Sequence, residues 1–312
     1  MLAKESGPAG QDAANAHAFN GKELPKSRAL RRSEWLLVAY FSYTTALAAV
    51  LPLRAPVPAV TVSMNLVVLA GLWIVSRAEA LRRRWFLTVL RDWYPLPMIL
   101  LAYREMGWFA PATHTYELEN AWIYWDRLVL NQWGARAAIE LLGPFLPSVL
   151  EIAYSLVYAV PVFGMAMLYV YKRTERADRF SVTFLLGTLA AYALFPYFPS
   201  EPPRTVFAGT DLPGYLTIFR QFNLGLVGGY GIHTSVFPSA HVAGAFCGAF
   251  GMIRLLPEHR WVGRFLLVLA VLIATATVHG RYHFVVDALA GFGLAAAAEL
   301  AGRALDRRIA LS

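Results

Sequence analysis

The sequence predicts an all-α fold, a polytopic transmembrane helix bundle, on three observations. Hydrophobic residues fill 57% of the 312 positions and charged residues 15%, whereas a soluble domain carries about 25% charged residues. Uncharged apolar runs recur along the chain, each close to the roughly 20 residues a helix needs to cross the hydrocarbon layer. Lysine and arginine fall unevenly on the loops between these runs, as they do where cytoplasmic loops collect positive charge.

Residues 1–30 mix Gly, Ala, Asn, Lys and Glu without an apolar stretch. They are expected to form a disordered cytoplasmic tail rather than a signal peptide, ahead of one membrane domain over 31–312. Runs 35–53, 55–76, 152–171 and 180–200 contain no Lys, Arg, Asp or Glu and are expected spans. Runs 238–256, 261–278 and 283–301 are further spans with an ionisable residue near one end. Run 85–103 is interrupted by Arg91 and Asp92, so its apolar part is short, tilted or interfacial. The expected count is about eight, with six and seven as alternatives.

On the eight-span arrangement, 20 Lys and Arg lie on the side of both termini and 7 on the opposite side. Both termini are therefore expected in the cytoplasm, and the net charge of +8 is accounted for without nucleic acid. The single cysteine, Cys247, has no partner for a disulfide and reads as a small buried hydrophobe.

Two segments on the far side are long enough to carry function. Segment 104–147 holds Trp108, Trp122, Trp125 and Trp133, and its portion 121–142 reads as an amphipathic helix at the interface. Segment 201–237 opens with Pro202-Pro203-Arg204 and carries glycines at 225, 228, 229 and 231, which predicts loop rather than helix.

Ionisable groups at membrane depth are costly and tend to mark sites. His241 starts one expected span, and His283 and Asp287 start another; charge asymmetry puts both at the same outer face. A histidine and an aspartate at i and i+4 share a helix face, so Asp287 can hold one nitrogen of His283 and leave the other free as a nucleophile toward phosphorus. His241 could then protonate the departing oxygen. Arg204 and Arg281 are candidate clamps for phosphoryl oxygens, and Ser239, with the first amides of its helix, could add donors. Each residue also has a plainer reading. A His-x3-Asp pair can be a local hydrogen bond, Arg281 a headgroup anchor, Arg204 a solvated cation and Ser239 an N-cap. His17, His114, His233 and His259 are read as structural.

Phe237-Pro238-Ser239-Ala240-His241, with Thr277-Val278-His279-Gly280-Arg281-Tyr282-His283 and the following Asp287 and Gly291, resembles the second and third motifs of the type 2 phosphatidic acid phosphatase superfamily. The branch it resembles holds bacterial lipid phosphatases and inositol phosphorylceramide synthases. Pro202-Pro203-Arg204, the stretch from Ala121 to Asp126, and Glu151 to Tyr154 resemble upstream segments of that branch, so the likeness spans about 90–310. The resemblance implies a six-helix catalytic core in a bacterial inner membrane and a lipid phosphate substrate. It also implies a phosphohistidine at His283, His241 as acid and then base, Asp287 orienting His283, and no metal or other cofactor. The chain departs from the wider pattern in three places. It has no Lys-x6-Arg-Pro motif, Ala240 replaces the usual glycine, and Thr277 stands in place of an arginine.

Water resolving the intermediate gives a lipid phosphatase. An alcohol acceptor such as inositol gives a phosphotransferase. Two rival readings remain: an intramembrane metal-dependent hydrolase with His279, His283 and Asp287 as ligands, and a transporter, which predicts charges at mid-depth in several spans. The sequence is silent on oligomeric state.

Overall fold

The computed structural model describes residues 30–310 apart from 83 and 112. The expected tail lies outside the described residues except for Leu30, as does His17. In chain order the α-helices are α1 (Arg32–Val50), α2 (Val57–Arg82), α3 (Trp85–Trp93), α4 (Pro95–Phe109), α5 (Glu117–Asp126), α6 (Ala135–Glu140) and α7 (Phe145–Ser155). They continue with α8 (Ala159–Val170), α9 (Ala177–Leu194), α10 (Pro203–Val206), α11 (Ile218–Tyr230), α12 (Ala240–Leu255), α13 (Arg260–His279) and α14 (Val285–Ala310). No strand occurs among the described residues, in keeping with the all-α expectation.

Five stretches are long and apolar enough to cross a membrane: Val57–Arg82, Phe145–Val170, Thr174–Tyr197, Pro257–His279 and Val285–Arg307. Each coincides with an expected span. The other three expected spans differ for local reasons. Ser33, Glu34, Thr44 and Thr45 dilute the apolar character of α1. Run 85–103 breaks at Tyr94, where Pro95 opens α4. Helix α12 has only 16 residues, and 12 of them are buried, so protein rather than lipid surrounds it.

Helix α12 is the hub of the bundle, packed against α9, α13, α14 and α8. Its sequence suits that place, because Ala and Gly at small-residue spacing let neighbouring backbones approach closely. Cys247 is buried there against Gly187, the small hydrophobe expected. The approach most important for the site is at Gly291, where a Cβ would collide with the Ser239 carbonyl and crowd Val242.

Arg91 and Asp92, which made run 85–103 ambiguous, are buried and tied into α1 and α2. Arg91 pairs with Glu34 (2.5 Å) and with Glu79, while Asp92 takes bonds from Arg31 and from the Tyr169 hydroxyl (2.6 Å). Arg254 reaches Glu299 (3.0 Å) and Asp306 at the same end. The histidine motifs occupy the opposite end.

Two expectations for the long segments need correction. The interfacial helix at 121–142 is divided: α5 passes into a π-helical turn, Arg127–Gln132, and Gly134 at φ 71° separates it from α6. It is nonetheless amphipathic, with Trp125 and Trp133 exposed and Ile123 and Leu130 buried. Segment 201–237 is not all loop, since α11 runs for 13 residues through Gly225, Gly228 and Gly229. Thr217 caps it by accepting from the Arg220 amide (3.2 Å). Arg220 and Asn223 then dock on Glu151 of α7 at 2.9 and 2.7 Å. These buried charge-assisted bonds outweigh the roughly 1 kcal/mol that each helical glycine costs.

Candidate active site

The two motifs meet because two helix starts are tied together. Ser239 is the N-cap of α12, its hydroxyl accepting from the Val242 amide (3.4 Å), which puts His241 in the first helical turn. Asp287 sits in the first turn of α14, where its Oδ2 accepts from the Phe284 amide (2.9 Å). An acid at this position satisfies an orphan N–H and is favoured by the helix dipole. The Ser239 amide donates to the Asp287 carbonyl (3.0 Å), so the two caps are bonded to each other.

The turn before α14 presents His283. The Tyr282 and His283 amides both donate to the Thr277 carbonyl, at 2.9 and 3.0 Å, and Arg281 adopts φ 61°. Few non-glycine residues take that conformation without compensation. Here the Arg281 guanidinium bonds Asp126 and Asp211, both at 2.5 Å, and the side chain is wholly buried. Its carbonyl accepts from the Arg204 amide (3.1 Å). Arg281 therefore braces the turn and tethers the Arg204 segment. Its guanidinium is committed to carboxylates and does not line the cleft described below.

The imidazole rings of His241 and His283 lie 6.0 Å apart, centroid to centroid, at 56°. His283 Nδ1 is 3.3 Å from Asp287 Oδ2. His241 stacks on Tyr154 (5.2 Å), which stacks on Tyr282 (4.1 Å), and its Nε2 is buried without a hydrogen-bond partner. Burial, and then the Arg204 charge, push the His283 ring down to about 3. The ring is therefore neutral at physiological pH, the form in which a nitrogen lone pair is available.

A narrow cleft opens beside the rings, lined among others by Tyr103, Tyr158, Arg204 and Ser235. Three arginines surround Tyr282 and its turn. Arg281 and Arg220 are paired with acids, whereas no carboxylate pairs with Arg204 among the described residues. Burial pulls Arg204 below its ordinary value, the mark of a cation short of a counter-charge. Ser239 is fully enclosed as a cap and does not line the cleft. Ser235 does line it, with a buried hydroxyl that has no partner. Nothing in the sequence marked Ser235, whereas Tyr154 stood within a segment already singled out.

The other histidines have separate surroundings. His279 faces Glu140 (3.2 Å) rather than Asp287, so the ligand set that a metal hydrolase would draw from His279, His283 and Asp287 does not converge. His259 stacks on Tyr171, and His114 is buried against Glu119 (2.6 Å).

A family model described as the PAP2 superfamily matches residues 120–301, more than half of the chain. The chain belongs to the PAP2 superfamily. The matched region contains His241, His283, Asp287 and Arg204 of the candidate site, and helices α1 to α4 precede it. A PA-phosphatase related-family protein of Dictyostelium discoideum is 29% identical over 126 residues, covering 37% of this chain and 21% of that protein. The chain thus spans about a fifth of that relative's length. No solved structure matches significantly.

Proposed function

We propose that this PAP2 protein is a membrane phosphoesterase that removes phosphate from an amphiphilic phosphomonoester or pyrophosphate. Membership of the superfamily supports phosphatase-type chemistry on lipid phosphates. The observation that carries the finer reading is the 6.0 Å spacing of the His241 and His283 rings across a cleft holding the unpaired cation Arg204. On this reading the phosphoryl group sits between the two rings, within reach of both.

Arg204 holds the phosphoryl oxygens, and the free nitrogen of His283 attacks phosphorus from one side. The P–O bond to the lipid breaks as the P–N bond forms, and His241 gives its proton to the departing oxygen. Asp287 holds Nδ1 and stabilises the positive ring while it carries phosphate. Water then enters where the lipid left. His241 takes its proton, the water oxygen bonds to phosphorus, the P–N bond breaks, and phosphate leaves with His283 neutral again.

The basic residues gathered at the opposite end of the bundle support a cytoplasmic location for that end, which would open the cleft on the other side of the membrane. The test is to incubate purified protein with a panel of lipid phosphates and pyrophosphates, with and without polar alcohols such as inositol. Free phosphate that depends on His283 is the expected product. A new headgroup lipid without free phosphate would make the protein a phosphotransferase, and the absence of both products across the panel would overturn the assignment.

A further inference from the structure

The two histidines of the site are held by different means. Asp287 stands 3.3 Å from Nδ1 of His283. Among the described residues, acids pair with His114, His279 and His283 but not with His241, whose Nε2 is buried without a hydrogen-bond partner. The Ser239 cap fixes the backbone at His241 but not its ring plane, because rotation about the Cβ–Cγ bond of a histidine has no sharp preference of its own.

Aromatic faces hold that ring instead. Tyr154 lies nearly parallel to the imidazole, 5.2 Å away and at 11°, and Tyr158 meets it edge-on at 5.9 Å and 79°. The two tyrosines are four residues apart on α7 and the turn Leu156–Tyr158 that continues it, so one helical turn brings both to the same face. Tyr154 stacks in turn on Tyr282, at 4.1 Å and 14°, which puts three rings in series. The last of them is pinned: the Tyr282 hydroxyl donates to Glu151 Oε2 (2.8 Å), and the Arg204 and Arg220 guanidiniums lie over its ring at 5.4 and 5.7 Å. Tyr282 immediately precedes His283, so the series runs from one histidine back to the turn that presents the other. Packing accounts for the burial of Tyr154 beside Leu150, Ala276 and Tyr282. It does not account for a parallel face on an imidazole that has no polar group to orient it.

We propose that Tyr154 is a positioning residue for the general acid, its ring face holding the His241 imidazole so that the unpartnered Nε2 meets the oxygen leaving phosphorus. The contrast with His283 suits the two tasks. A nucleophile becomes positive as it bonds to phosphorus and needs a counter-charge beside it. An acid gives up its proton, which a neighbouring carboxylate would hold back, so alignment without charge serves it better. The Tyr154 hydroxyl makes no hydrogen bond among the described residues, and the ring is what this side chain contributes.

This inference rests on His241 as the acid, and its test separates the two. Tyr154→Leu removes the ring face, Tyr154→Met does so while filling more of the space, and Tyr154→Phe keeps the face without the hydroxyl. Leaving-group release is followed in single turnovers of detergent-purified protein with two substrates. One is a long-chain alkyl phosphate, whose alkoxide must be protonated as it departs; the other is an alkyl-substituted nitrophenyl phosphate, whose phenolate departs without a proton. Tyr154→Leu and Tyr154→Met are expected to slow alcohol release about tenfold, a share of the roughly 100-fold that a positioned acid supplies, with nitrophenolate release within about twofold of wild type. Tyr154→Phe should stay within about twofold on both substrates. An equal loss on the two substrates in the Leu or Met variant overturns the proposal. So does slow alcohol release in Tyr154→Phe, which loses no hydrogen bond and reports even if the other variants fail to fold. His241→Ala should show the same substrate dependence more steeply, and alcohol release at the wild-type rate in that variant overturns the parent reading instead.

Discussion

The Ser239 amide donates a 3.0 Å hydrogen bond to the Asp287 carbonyl, which joins the cap of the helix carrying His241 to the acid bonded to His283. The bond forms because α14 comes against the start of α12 at Gly291, a contact that no side chain permits. The spacing of the two rings is thus set by backbone atoms, and four predictions rest on this site.

Gly291→Ala places a methyl group against the Ser239 carbonyl and should force the two helix starts apart. A destabilisation of about 1–3 kcal/mol is expected from overpacking of this kind, together with a fall in kcat that outlasts any fall in the folded fraction. Thermal unfolding and single-turnover kinetics on the same preparation check it, and wild-type kcat would show that ring spacing tolerates the shift.

His283→Ala and Asp287→Asn should each lower turnover by about 100-fold or more, since a nucleophile and the group that fixes its tautomer act as a unit. Insertion and thermal stability are expected to survive, the Asp287→Asn side chain still accepting from the Phe284 amide. Labelled phosphate should be trapped on His283 in the wild type under rapid quench and should be absent in His283→Ala.

Arg204 and Arg281 should fail in opposite ways. Arg204→Gln removes a cation that has no carboxylate to leave behind, so the protein should fold normally and lose activity. Arg281→Gln strips Asp126 of its partner in a buried setting, where breaking an ion pair costs about 3–5 kcal/mol. It should therefore appear chiefly as lost stability. Comparing unfolding temperature with kcat for the two variants tests this assignment, and a stable, inactive Arg281→Gln would make that residue part of the phosphate site.

Acid should destabilise the fold through His283. Its folded value lies near 3 against an ordinary value of about 6.5, so between these limits the unfolded chain binds a proton on this ring that the folded chain does not. The contribution is complete above about 6.5 and is lost as pH falls toward 3. Unfolding temperature should decline across that window, and less steeply in His283→Phe. Arg204→Gln removes one of the two causes and should move the lower limit upward.

Much of this was legible in the residues. The apolar runs gave the bundle, because a helix is the local solution that satisfies every backbone polar group in lipid. The pairing of His283 with Asp287 followed from a four-residue spacing, which is a property of one helix turn. Where a run was short or carried charges, as in 85–103, the outcome depended on partners that periodicity does not show: Glu34 and Glu79, from other helices, allowed Arg91 to be buried. The helix through Gly225 and Gly228 was missed for the same reason, since its stability comes from Glu151, some seventy residues upstream.

The sequence by itself determined that the chain is a helical membrane protein, which two stretches carry its histidines, and which acid serves His283, all matters of composition and local spacing. Tertiary structure alone decided which arginine is paired with acids and which is not. Arg204 and Arg281 look alike as basic residues beside a motif, and their difference lies in whether distant acids, Asp126 and Asp211, reach the guanidinium. Spacing along the chain could not decide it, because a buried charge is defined by what surrounds it in space.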